Sequence, residues 1–491
     1  MVYPRPAPGG TIIPQAETGW GALLQGRTGL TSLALSGGVG LHAINLYIAT
    51  TILPSVVRDI GGLPYYAWNT TVFEIASILG SALSIRLLHR TGPRGAFGVA
   101  ALAFALGTLA CGLAPTMLFL VAARAIQGFS GGVLFALSFA MIRLVFAEPL
   151  WPRAMTLISG MWGVATLIGP AVGGVFAEHG VWRGAFFALL PAIALFAALA
   201  LAFLPGRTGD PVEPEVVPVR QLIVLTAALL AISAASVSAD PMRQIAASVA
   251  AIGLAALLVG TELRSRQRLL PRGAFAGTLG CLYATLSLVA ITVTVIEIFM
   301  PLFLQTLHNQ SPVVAGYLAA LVAAGWTAGS FASAGAIGRR ADQAILATPL
   351  LTLTGMAGLF LLVPGKSAGD AITLLPISLS LILVGLGVGL GWPHLLTRVL
   401  LAADPDDQER AAASLTTVPV IVSALGAALT GMVANLAGLT DPGGDSGTSA
   451  AAAWLFAVFA IAPALAIITA VRLMRPRRAP SPGASTGLRS D

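Results

Sequence analysis

Fourteen apolar stretches, each long enough to cross a bilayer as a helix, follow one another along this chain with only short arginine-bearing interruptions. At 1.5 Å of rise per residue, about twenty apolar residues cover some 30 Å of hydrocarbon. Lipid offers no partner to a backbone N–H or C=O, so a spanning segment must satisfy its own, and runs of this length do so as α-helices. The runs fall at residues 30–57, 64–88, 93–114, 117–146, 152–178 and 183–204. They continue at 220–239, 242–261, 274–307, 312–337, 343–364, 370–400, 410–438 and 449–473. The expected fold is therefore an all-α integral membrane protein with 14 transmembrane helices. Charged residues make up 10% of 491 positions, against about 25% in soluble domains, which excludes a set of water-soluble domains joined by linkers.

The basic residues give an independent reading of the topology. With both termini on one side, only Arg58, Arg183, Arg243 and Lys366 fall on the other, and Arg124 alone lies inside a span. The remaining 22 of the 27 Lys and Arg residues then share the side of the termini. Basic residues concentrate in cytoplasmic loops, so the expectation is a multi-pass protein of the plasma (inner) membrane with both termini cytoplasmic. The formal charge of +7 is spread over these interruptions rather than along one polar face, so nucleic acid is not an expected partner. The middle pair of runs, joined at Ala239-Asp240-Pro241, is read as two spans, with a single re-entrant hairpin as the alternative.

The organisation that follows is a tail over 1–29, a six-helix bundle over 30–205 and a linker with two extra, peripheral helices over 206–273. A second six-helix bundle over 274–473 and a tail over 474–491 complete it. Two helical bundles with a binding site between them are a common plan for secondary transporters. Residues 1–27 lack the features of a secretory signal peptide. Cys111 and Cys281 lie inside apolar runs and read as small core residues. No metal-ligand spacing, cofactor motif or nucleophile–base constellation is visible, so neither a metal, a cofactor nor an enzymatic activity is expected. Gly365-Lys366-Ser367 ends like a phosphate-binding loop, but Phe360 stands where that loop needs glycine.

Three stretches carry a resemblance to a family. Arg124-Ala125-Ile126-Gln127-Gly128 in the fourth run resembles the R-x-x-Q-G signature of the major facilitator superfamily. Gly163, then Gly169-Pro170-Ala171-Val172-Gly173-Gly174 in the fifth, resembles the G-P-x-x-G-G motif of its antiporters. Trp182-Arg183-Gly184-Ala185-Phe186 resembles its W-R-x-x-F element. With fourteen runs, the resemblance points to the drug:proton antiporter branch and implies the major facilitator fold. Glycine and proline in a span also permit a bent helix and close helix approach.

The sequence departs from the family in two places. The gating loop between the second and third runs reads Ile85-Arg86-Leu87-Leu88-His89-Arg90-Thr91-Gly92-Pro93-Arg94, with Ile85 for the expected first glycine and His89 for the expected aspartate. Asn45 stands where fourteen-span drug pumps often carry an acid in the first run.

Three ionisable residues lie far from any span end. By helical rise Arg124 is about 10 Å deep, and Glu74 and Glu297 about 15 Å. A charge at such depth is costly and marks a functional site by default. Desolvation favours the neutral form of a carboxyl, so a buried acid can exchange a proton for substrate, and Glu297, Glu74 and Arg124 are the expected proton-coupling set. The alternative is that Glu74 and Arg124 form a structural pair. His42, Asn45, Gln127, Trp392 and His394 are weaker candidates for the substrate cavity. The acidic run Asp404–Glu409 reads as a solvated loop, with a gating contact to Arg86, Arg90 or Arg94 as the alternative.

The expected function is proton-coupled export of a small amphipathic compound by a monomer in the lipid bilayer. Two alternatives stay open: a proton-independent facilitator or importer, and a non-transporting membrane sensor or lipid-handling scaffold.

Overall fold

The structure, a computed structural model, describes residues 19–206, 218–238, 240–265 and 268–474. Most of both tails, the linker segment 207–217 and the arginines Arg5, Arg207, Arg266, Arg475, Arg477, Arg478 and Arg489 lie outside the described residues. The described residues form helices and no strand. After the short α1 (Trp20–Leu24) come α2 (Gly26–Ile60), α3 (Trp68–Gly112), α4 (Met117–Val145) and α5 (Trp151–Glu178). Next are α6 (Arg183–Phe187), α7 (Leu189–Phe203), α8 (Val219–Val237) and α9 (Pro241–Arg264). The series ends with α10 (Gly277–Thr306), α11 (Pro312–Ser333), α12 (Arg339–Leu362), α13 (Ala371–Ala402), α14 (Gln408–Leu436) and α15 (Gly444–Met474). This is a multi-pass membrane protein.

Thirteen helical stretches among the described residues are long and apolar enough to cross a membrane. One holds two spans. α3 runs through Gly92, whose φ of 71° and ψ of 171° are not helical, a backbone state glycine adopts without steric cost. Pro93 follows, with no N–H to continue the helix. The expected second and third runs are thus the two limbs of α3. α8 and α9 are two helices of 19 and 24 residues, about 28 and 36 Å long, each long and apolar enough to cross a membrane. Asp240 turns the chain between them and caps α9 by accepting from the Met242 N–H at 2.9 Å.

Helices α2 to α7 pack largely on one another, as do α10 to α15. The tightest pairs approach backbone to backbone at glycines. On α4, a Cβ at Gly128 or Gly132 would collide with the carbonyl oxygen of Phe73 or Ser77 on α3. On α13, a Cβ at Gly385 or Gly389 would collide with that of Val322 or Trp326 on α11. Such small-residue seams let dispersion and weak polar contacts hold helices together where lipid supplies no hydrophobic drive.

The two groups meet at the end opposite the arginine-rich loops. There Gly174 of α5 sits against Val313 of α11, and Pro170 against Gly316. The Tyr317 hydroxyl donates to the Leu167 carbonyl at 3.0 Å, and the Val313 N–H to Glu178 at 3.4 Å. Arg58 donates to Gln305 at 3.3 Å, and the Tyr66 and Phe299 rings lie 5.1 Å apart. Farther along α5 the seam loosens: nothing lies within 4 Å of a Cβ built on Gly160 or Gly163. α8 rests on both α3 and α14, whereas α9 packs against α8 and turns Ile245, Val249 and Ile252 outward.

The acidic run is not a freely solvated loop. Asp407 is buried and accepts the Arg272 backbone N–H at 2.8 Å and the Arg410 guanidinium. It ties the segment before α10 to the start of α14.

Candidate functional site

Arg124, on α4, is fully buried. A guanidinium in this environment must spend its N–H groups on acceptors or leave a buried charge uncompensated. Its Nε donates to the Asn69 carbonyl at 3.2 Å. Its Nη1 donates to Asn45 Oδ1 at 3.2 Å and to Gln127 Oε1 at 2.5 Å. The guanidinium carbon lies 4.0 Å from the centre of the Phe73 ring, an attraction that strengthens on desolvation. Gln127 passes the network on, donating from Nε2 to Thr108 at 2.8 Å, and Thr108 donates to the Phe104 carbonyl at 2.7 Å. One helical turn separates Arg124 from Gln127, so the R-x-x-Q spacing puts both on the face that meets α3.

The two carboxylates are placed differently. Glu74 is 5% exposed and accepts from Ser423 of α14 at 3.5 Å. Glu297, on α10, is half-buried. Neither makes an ion pair within 4.0 Å among the described residues. The pairing of Glu74 with Arg124, one of the readings open from sequence, is therefore absent: neutral amide and carbonyl oxygens bind the guanidinium instead. The carboxylates come from opposite helix groups, and Glu74 is near enough to interact with the charges of both Glu297 and Arg124. Tyr47 on α2 feels the Glu297 charge as well.

The weaker cavity candidates separate. Asn45 and Gln127 belong to the Arg124 network. His42, one turn from Asn45, instead sits among Phe73, Phe135 and Trp162, with centroids at 5.1, 5.5 and 6.2 Å. Trp392 packs edge-on against Trp326 at 4.9 Å and lines an apolar crevice with Tyr283, Leu286 and Pro419. His394 bonds the Ser333 carbonyl at 3.1 Å. In the antiporter-like helix, Gly169 and Gly173 abut Tyr47 and Ile48 of α2, Pro170 and Gly174 face α11, and Gly163 is open. In the gating loop, Arg94 donates to the Leu204 carbonyl at 3.1 and 3.2 Å, fastening the turn to the end of α7. Arg86 and Arg90 are exposed, and His89 is half-buried. Sequence reasoning missed Asn69, Tyr66 and Ser423. Asn69 binds through its backbone, and Ser423 is one of many small polar residues in spans, so neither carried a signal.

The pattern of the Major Facilitator Superfamily matches residues 35–427. A Mycobacterium tuberculosis protein described as a "probable multidrug-efflux transporter" is 37% identical over 477 residues, covering 95% of this chain and 99% of the relative. The chain belongs to the Major Facilitator Superfamily. Its members are transporters rather than enzymes, and its substrate is a small molecule. The multidrug efflux pump SdrM of Staphylococcus aureus is 24% identical over 298 residues, 60% of this chain and 67% of its own length. Among solved major facilitator structures, a D-xylose–proton symporter superposes with a TM-score of 0.61 at 14% identity, over 91% of this chain and 97% of its own. A transporter of the POT family gives 0.65 at 12% identity, over 91% and 97%. These two likenesses speak for the fold.

Proposed function

We propose that this chain is a secondary transporter that exports small amphipathic compounds, drugs among them, in exchange for protons. It would be a member of the fourteen-helix antiporter branch. The efflux reading is supported by the near full-length relative in Mycobacterium tuberculosis. The coupling reading rests on one observation: Glu74, buried, and Glu297, half-buried, stand in the membrane-spanning part on opposite helix groups with no ion pair among the described residues. A carboxyl so placed is stable in its neutral form or when bridged by a cation. Proton and cationic substrate compete for it, and that competition is the minimum an exchanger needs.

In this reading the bundles over 30–205 and 274–473 rock against each other around the carboxylates. The fourteen-span plan and the arginine distribution support cytoplasmic termini in the inner membrane, with the arginine-rich end facing the cytoplasm. The protein then works as a monomer, and the closed far end corresponds to an inward-facing state. The remaining candidates keep their roles as proposals: Arg124 beside the coupling acids, the antiporter-like helix as a seal, and the loop around Gly92 as a gate.

The test is flux in proteoliposomes driven by a pH gradient. Glu297→Gln, which keeps the side chain's size but can neither release a proton nor pair with a cation, is expected to abolish the gradient dependence. Full gradient-driven flux in that variant would remove the coupling role of Glu297. Asn45, in place of an acid, favours a second reading as an uncoupled facilitator. That reading wins if dissipating the gradient leaves wild-type flux unchanged.

A further inference from the structure

Between the start of α3 and the Arg124 network lies a set of buried polar atoms to which no described residue offers a hydrogen-bond partner. They are the Tyr66 hydroxyl, Thr70 Oγ1, both side-chain amide atoms of Asn69, Asn45 Nδ2 and Arg124 Nη2. Their residues are at most 4% exposed. Buried polar atoms in proteins are almost always hydrogen-bonded, to protein or to ordered water. Five neighbouring residues departing together from that rule is a property of the site.

Their placement is linear. Tyr66 stands in right-handed helical backbone two residues before α3 begins, and Thr70 and Glu74 follow at four-residue spacing on one face of that helix, a step of about 6 Å. Tyr66 begins that line beside Phe299, under the contact in which Asn435 donates to the Pro64 carbonyl at 3.0 Å. Glu74 ends it, facing Ser423. Asn69 and Asn45 flank it and are joined through Arg124.

We propose that these groups hold a chain of water molecules that carries protons from the far end of the bundle to the Glu74 carboxylate, by a route distinct from that of the substrate. The proposal rests on the proton-coupling reading above. The Phe299 ring and the Asn435–Pro64 hydrogen bond close the end around Tyr66 against a transported compound. Polar surroundings with several partners are what an internal water requires. The Tyr66 and Thr70 hydroxyls can each accept a proton from one neighbour and release their own to the next, so only O–H bonds break and form. The proton ends on a Glu74 oxygen. The asparagine amides and the guanidinium N–H orient waters without relaying. Titratable groups reach this region as Arg124 from α4, Cys111 from α3, Tyr47 and His42 from α2, and Glu297 from α10. α14 and α8 bring the uncharged Ser423 and Ser233. The Arg124 charge disfavours an excess proton resting beside it, and the carboxylate draws it onward.

The experiment compares two fluxes of one probe, ethidium, in proteoliposomes containing entrapped pyranine. Gradient-driven flux needs net proton movement; equilibrium exchange of labelled for unlabelled ethidium does not. Thr70→Val and Tyr66→Phe are expected to slow driven flux and the pyranine signal about tenfold, with exchange within about twofold of wild type. Thr70→Ser, which keeps the hydroxyl, should restore driven flux. If Thr70→Val does not fold, Tyr66→Phe, lacking a single oxygen atom, carries the comparison. Driven flux at the wild-type level in the variants overturns the route. Exchange falling in parallel with driven flux overturns it too, by assigning these residues to substrate or packing. A wild-type protein whose ethidium flux ignores the gradient overturns the coupling reading and the route together.

Discussion

Arg124 illustrates how a charge survives in the membrane without a direct ion pair among the described residues. Three N–H bonds to neutral oxygens and one aromatic face take the place of a carboxylate. Removing one buried hydrogen-bond partner of a charged group costs about 1–3 kcal/mol or more. Gln127→Leu strips both Arg124 and Thr108 of a partner, and is expected to lower the thermal midpoint in detergent by several degrees. Gln127→Glu would instead supply a counter-charge and should be tolerated better, in the same measurement. Outside the membrane, Asp407 offers a prediction about pH. The Arg272 N–H, and then the Arg410 guanidinium, outweigh the opposing effect of burial and hold its carboxyl below the usual range. Such a group contributes stability that is present above the unfolded value of about 3.9 and is lost as pH falls through the lower folded value. The anchor between the segment before α10 and α14 should therefore hold at neutral pH and release only in strong acid. Asp407→Asn should abolish that acid transition, followed by proteolysis of the connecting segment. The positions of Arg124, Glu74 and Glu297 were legible because ionisable residues deep in apolar runs are conspicuous. Their partners were not, because Asn69 acts through a backbone carbonyl and Ser423 is 349 positions from Glu74.

At the scale of elements, hydropathy located the spans because length and apolarity are what the bilayer demands. The exception is instructive: a left-handed Gly92 makes a reversal so tight that α3 has no loop between its limbs. The glycines of α13 make packing seams on two sides: Gly385 and Gly389 meet α11, and Gly387 and Gly391 meet Thr352 and Thr348 of α12. Gly174 belongs to a different seam, where α5 meets α11. A Cβ there would stand 2.6 Å from the Val313 Cα, so the closed far end cannot tolerate one without parting. Gly174→Val should shift the population toward a far end that is open. The measurement is labelling of Thr51→Cys, buried where α2 meets Gly316, by a membrane-impermeant thiol reagent, expected to rise severalfold in the Gly174→Val background, and an unchanged rate would refute the seam's role. Thr116, Asp240 and Ser311 cap their helices as such residues do.

For the whole molecule, sequence marked α8 and α9 as an insert but could not say where it sits, since contacts among apolar helices leave little trace in composition. The structure seats α8 on the line between α3 and α14. Trp68 Nε1 of α3 donates to the Ser233 carbonyl at 3.1 Å, and Asn435 of α14 to the Ser236 carbonyl at 2.9 Å. Leu222, Leu225 and Leu229 fill the groove beside Ile75, Ile78 and Ala424. One flank of the molecule is thus strapped, and the other, where α5 meets α11, is closed at Gly174 and Pro170 and open at Gly163 and Gly160. If the bundles swing, the strapped flank moves least. The rocking then resembles the motion of a door, hung along α8 and latched at Gly174 and Val313.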